Sequence, residues 1–81
     1  GRPRVRDLLW GQARGHCWYC GVPLAPEAVS IDHVQPVCKG GVSHMNNMVA
    51  ACRPCNTAKG QMTLEEYRVV CGGTRFYGEG E

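Results

Sequence analysis

The sequence predicts one small α+β domain, and three observations predict it. At 81 residues the chain encloses little apolar surface, so a covalent or metal staple is expected. Of its six cysteines (Cys17, Cys20, Cys38, Cys52, Cys55 and Cys71), four fall into two Cys-x-x-Cys pairs, 17–20 and 52–55. The elements read in the order helix, knuckle, hairpin, helix, helix, which segregates strands from helices.

Taken in order, residues 4–14 read as a short amphipathic helix on Val5, Leu8, Leu9 and Trp10, ended around Gly11 and Gly15. Gly15 to Gly21 reads as a tight turn that presents two thiols and closes on a glycine able to take positive φ. Pro23 and Pro26 bound a loop. Residues 28–34 (Ala-Val-Ser-Ile-Asp-His-Val) form a β-branched strand candidate, and residues 47–51 a returning strand. The connection between them, 36–43, is turn-rich and holds Gly40-Gly41. Pro54 suits the first turn of a helix running to about Met62, and Thr63-Leu64-Glu65-Glu66 is a capping box opening another. The tail after Gly72-Gly73 is expected to be loose. Trp10, Trp18 and Tyr19 are expected in the core rather than as base-stacking platforms.

The cysteine spacing carries the strongest single signal. Two thiolate pairs on turns give zinc a closed tetrahedral shell, whereas a redox Cys-x-x-Cys wants a βαβ context that is absent here. Cys17, Cys20, Cys52 and Cys55 are therefore the expected structural Zn²⁺ ligands, with Cys38 and Cys71 as free thiols. No stretch has the length of a membrane span and no signal peptide opens the chain, so the expected compartment is a reducing cytoplasm. Net charge is +2, but unevenly placed. Residues 1–60 carry seven basic and three acidic side chains, and residues 61–81 two and four, a balance of +4 against −2. A basic front part suits a polyanionic partner.

Between the cysteine pairs lie Ile31-Asp32-His33-Val34-Gln35-Pro36, Gly40-Gly41 and Asn46-Asn47-Met48-Val49, followed by Cys52-Arg53-Pro54-Cys55-Asn56-Thr57-Ala58-Lys59-Gly60. Over residues 17–60 this series resembles the HNH nucleases, the ββα-metal or His-Me finger family, whose fold here would be zinc-stapled with flanking helices. Hydrolysing a phosphodiester needs a group to deprotonate water and a charge to stabilise the crowded phosphate. The resemblance implies His33 as general base, Asp32 and Asn56 as ligands of a catalytic cation, and Asn47 as the residue that holds the loop carrying His33. It also implies Lys59, one turn along the helix, as a phosphate-facing cation. Arg53 extends that stripe at i, i+3 and i+6, and Lys39 and His44 are further candidates for phosphate contact, with a solvated loop role the alternative for His44. Arg2, Arg4 and Arg6 read equally as a phosphate-binding arm or a solvated helix face.

The family's last histidine is Asn56 here. Its amide oxygen is a harder ligand than imidazole, which favours Mg²⁺ or Mn²⁺. The resemblance implies a DNA endonuclease that leaves 5′-phosphate and 3′-hydroxyl ends. With no second carboxylate cluster a single catalytic cation is expected, one active site should nick double-stranded DNA as a monomer, and so small a module leaves little room for base reading, so sequence preference should be weak. A catalytically inactive zinc module binding nucleic acid or protein is the alternative. A piece of a larger restriction, homing or phage-packaging protein also stays open, since Gly1 is not an initiator methionine. One geometric demand follows. Neighbours in a regular strand point to opposite faces, so Asp32 and His33 can share a site only if the strand ends, bulges or kinks near His33.

Overall fold

A computed structural model describes residues 1–80. Helix α1 (Val5–Gln12) leads into the first cysteine knuckle. Strands β1 (Ser30–His33) and β2 (Met48–Ala51) form an antiparallel hairpin, with Ser30 opposite Ala51 and His33 opposite Met48. Helix α2 (Arg53–Lys59) follows β2 after a single residue and packs on β1. Helix α3 (Leu64–Val70) completes the set. Among the described residues no helix is long and apolar enough to cross a membrane.

Local chemistry accounts for the boundaries. Cys52 caps α2, its sulfur accepting from the Cys55 N–H at 3.4 Å, and Pro54 sits in the first turn where its missing N–H costs nothing. Thr63 and Glu66 close the capping box of α3 in both directions, at 2.8 and 3.2 Å. Gly21, at φ 79°, closes the knuckle. Both strands are shorter than their sequence pattern: residues 26–28 form a 3-10 turn, and the regular ladder ends at His33, with one further bond from the Val34 N–H to the Asn47 carbonyl at 2.9 Å. That early stop is the irregularity the sequence demanded, a strand end and not a bulge.

Two apolar clusters hold the layers together. Leu9 and Ala13, one helical turn apart, pack with Val29 and Ala50 between α1 and the hairpin. Around the cysteines lie Tyr19, Ala51, Tyr67 and Phe76, the three rings meeting at centroid distances of 5.0–5.6 Å. Trp10 is half-buried and gives its indole N–H to the Leu24 carbonyl at 2.8 Å. Arg6 bonds the Val29 carbonyl at 2.9 Å and the Glu27 carbonyl at 3.2 Å, so it fastens α1 to the strand approach, while Arg2 and Arg4 are exposed.

The tail, expected to be loose, packs on the knuckle through residue 80; Glu81 lies outside the described residues. Phe76 is 5% exposed inside the aromatic cluster, and a side chain at Gly78 would stand 2.0 Å from the Trp18 ring. Gly78 donates to the Trp18 carbonyl at 2.6 Å and Tyr77 to the Tyr19 carbonyl at 3.0 Å. Glycine content suggested looseness, but here it serves close approach to the knuckle. Arg68 clamps Glu79 through two bonds of 2.7 and 2.6 Å.

That clamp has a pH signature. Hydrogen bonds from Arg68, helped by the Phe76 N–H, hold the Glu79 carboxyl down to about 2 from an ordinary 4.5. A depressed carboxylate stabilises the fold above its unfolded pKa and loses that contribution as pH falls from about 4.5 towards 2. The Trp18 indole resonance is expected to move across that window, and Glu79→Gln to give the shifted position already at neutral pH. An unmoved resonance in the variant contradicts the clamp.

Candidate active site and metal centre

The sulfur atoms of Cys17, Cys20, Cys52 and Cys55 all lie within 4.8 Å of one another, with Cys20 and Cys52 at 3.7 Å. A tetrahedron with metal–sulfur bonds of about 2.3 Å has edges of about 3.8 Å, so the four thiols fit a zinc-sized ion. They come from two turns of the same kind: Cys20 N–H faces Cys17 Sγ at 3.5 Å as Cys55 N–H faces Cys52 Sγ. Burial pushes the Cys55 and Cys52 thiols up, whereas at Cys17 burial is outweighed by backbone N–H groups and the thiol is lowered. A bound metal therefore displaces protons from this cluster. Cys38 and Cys71 are exposed and outside it.

The candidate catalytic residues meet at the end of β1. A groove of 230 Å³ is lined by Asp32, His33 and Asn56, with Pro36, Gly60 and Gln61 among its walls. A larger hollow at the end of α1, 670 Å³, is lined by Gln12, Ala13, Arg14, Tyr77, Gly78 and Gly80 and offers no carboxylate, imidazole or thiol. Two other hollows, of 720 Å³ beside Glu27 and Arg53 and of 410 Å³ beside Tyr19 and Tyr67, also lack an imidazole, so of these four only the smaller groove sets an imidazole beside a carboxylate.

Asp32 is 4% exposed. Its Oδ2 accepts a short hydrogen bond from the Tyr19 hydroxyl and lies 3.3 Å from Lys59 Nζ. Burial, and then the carboxylate that accepts its hydrogen bond, raise the Tyr19 phenol far above its ordinary value, so it stays a donor. His33 is half-buried, its Nε2 3.1 Å from Ser43 Oγ. Asn47 clamps the loop after His33: its Oδ1 accepts from Gln35 N–H at 3.0 Å, and its Nδ2 donates to the Gln35 and Val42 carbonyls at 3.0 and 2.9 Å.

Lys59 corrects the sequence expectation. It is 1% exposed, and its ammonium points inward to Asp32 and to the His33 carbonyl at 2.8 Å, away from any phosphate at the surface. Each i, i+3 step along a helix falls about 60° short of a full turn. From exposed Arg53 through half-buried Asn56, two such steps carry Lys59 into the interior. The spacing that predicts its position is Cys52, Cys55, Lys59, at i, i+3 and i+7, which is the buried stripe.

The other basic candidates stay outside. Arg53 is exposed at the start of α2. Lys39 meets Glu66 at 2.9 Å across two exposed side chains, a pair easily exchanged for another anion. His44 is exposed and its Nδ1 caps the turn at Met45–Asn47. Sequence reasoning missed three members of this region. Tyr19 was assigned to packing alone, Ser43 carries no spacing signal, and Gly41 reads only as a turn residue. A Cβ at Gly41 would lie 1.8 Å from the Gln35 carbonyl and 3.0 Å from Asn47 Nδ2. Gly41→Ala is thus expected to displace the Asn47 clamp, read as shifted Asn47 side-chain amide resonances while far-UV circular dichroism holds; unmoved resonances contradict the clash.

Residues 17–69 match the HNH endonuclease family. The chain belongs to that family. It is 34% identical over 65 residues to the CRISPR-associated endonuclease Cas9 of Corynebacterium diphtheriae, an alignment covering 74% of this chain and 6% of that protein. It also superposes on the crystal structure of the Type II-C Cas9 enzyme from Actinomyces naeslundii with a TM-score of 0.76 and 28% identity, over 84% of this chain and 8% of that one. This HNH domain therefore spans under a tenth of either relative. It is a nuclease domain of α+β fold with a four-cysteine cluster able to hold a metal ion such as zinc.

Proposed function

We propose that this HNH domain is a metal-dependent DNA endonuclease that nicks one strand of double-stranded DNA as a monomer, with low sequence specificity. The supporting observation is the single groove shared by an imidazole, a buried carboxylate and an amide. Asp32 and Asn56 would hold Mg²⁺ or Mn²⁺ there, oxygen donors suited to a hard cation. When bound, such a cation supplies positive charge to the reacting phosphate and the leaving oxygen. His33 takes the proton from the attacking water. Asn47 and Lys59 hold the backbone just after that imidazole, through Gln35 and through the His33 carbonyl. The four cysteines would carry structural Zn²⁺. Arg53, Lys39 and His44, all exposed, are the phosphate contacts.

Supercoiled plasmid with Mn²⁺ or Mg²⁺ tests the reading. Nicked circles are expected to accumulate before any linear product, and the rate to fall steeply with added salt because binding rests on phosphate contacts. Linear product without a nicked intermediate contradicts the monomer. An uncut plasmid with every divalent cation leaves only the inactive zinc module.

A further inference from the structure

We propose that Tyr19 is a positioning residue for the nuclease site, coupling the four-cysteine cluster to the affinity of Asp32 for its cation. The inference rests on the reading of Asp32 as a metal ligand. Tyr19 sits between Cys17 and Cys20, so the clamp that fixes these two sulfurs also fixes where its ring emerges. The ring is 3% exposed and held edge-on by Tyr67 and Phe76, at 5.3 and 5.0 Å. Its hydroxyl reaches across to Asp32 on β1. Lys59, on the helix that begins with the other cysteine pair, meets the same oxygen from the opposite direction in sequence.

Both cysteine pairs therefore deliver a donor to Asp32 Oδ2. With Oδ2 held twice, the rotation of the carboxylate is set and Oδ1 is presented for coordination. A hydrogen-bonding partner that orients a metal-binding carboxylate typically matters ten- to a hundredfold in metal affinity. The Tyr19 phenol has no other polar partner among the described residues, so packing alone needs only a phenylalanine there.

Mn²⁺ binding followed by electron paramagnetic resonance on the zinc-loaded domain separates the outcomes. Tyr19→Phe is expected to raise the Mn²⁺ Kd at least tenfold, with zinc content and circular dichroism unchanged. Tyr77→Phe removes a phenol that meets His16 at 3.3 Å and touches neither Asp32 nor the cysteines, and its Kd is expected to stay within about twofold of native. A native Kd in Tyr19→Phe, or an equal loss in Tyr77→Phe, overturns the proposal while Asp32 remains a ligand. Asp32→Asn sets the reference: if it binds Mn²⁺ like the native domain, the ligand reading fails and this inference fails with it.

A second measurement keeps the hydroxyl in place. With 3-fluorotyrosine at all three tyrosines, saturating Mg²⁺ is expected to shift the ¹⁹F resonance of Tyr19 and leave those of Tyr67 and Tyr77. A stationary Tyr19 resonance overturns the coupling.

Discussion

Stripping zinc from the domain with a chelator is expected to abolish its folded far-UV and near-UV circular dichroism, and one equivalent of zinc to restore both. The cluster is a core, not an appendage. Cys17 is 0% exposed, Cys52 and Cys55 are buried, and Tyr19, Tyr67 and Phe76 pack directly around them. The second apolar cluster, Leu9, Ala13, Val29 and Ala50, is small for a chain of 81 residues. Structural zinc contributes about 10–16 kcal/mol to the folding of zinc-finger peptides, as much as the whole stability of an ordinary domain, about 5–15 kcal/mol. Cys55→Ser, which removes a buried thiol of the cluster at the start of α2, is expected to behave as the stripped domain does. A metal-free chain that keeps native dichroism and melting temperature contradicts the staple.

Lys59→Met gives the second large effect. The substitution keeps an unbranched apolar stem one atom shorter and removes the charge, leaving the Asp32 carboxylate at 4% exposure with only the Tyr19 hydroxyl as donor. Removing one partner of a buried ion pair costs about 3–5 kcal/mol, far more than an exposed pair such as Lys39–Glu66 is worth. In a domain of this size that lowers Tm by at least about 12 °C. The variant also loses the bond to the His33 carbonyl, so the end of β1 loosens where the imidazole is mounted. Mn²⁺ is expected to raise the Tm of the variant more than that of the native domain, because the cation replaces the missing charge beside Asp32. A Tm within about 3 °C of native contradicts the buried pair as a stabilising element.

These two residues also mark how far sequence reasoning reached. The cysteine spacing carried the metal cluster, because two Cys-x-x-Cys turns leave few alternatives. The hairpin, the capping box at Thr63 and the α+β class were equally legible, since each rests on local chemistry. Asp32, His33 and Asn56 were placed by a family pattern, and they line one groove. Lys59 was misplaced because a charged side chain invites a solvent-facing reading, and only the i+7 step from Cys52 argues otherwise. The tail after Gly72-Gly73 reads as loose from its glycines, whereas in the fold Gly78 lets the backbone lie on Trp18 and Phe76 packs on both Tyr19 and Tyr67. Tyr19, Ser43 and Gly41 act through contacts 10 or more residues away in sequence or on a close backbone approach, which no local pattern encodes.

The central claim is that His33 works as a base on a phosphodiester held in the groove it shares with Asp32 and Asn56. Single-turnover nicking of supercoiled plasmid in Mn²⁺, native domain against His33→Ala, tests it most directly. The expected result is a rate lower by about 10²–10⁴ in the variant, with Mn²⁺ and zinc still bound. Equal rates in the two proteins would contradict it.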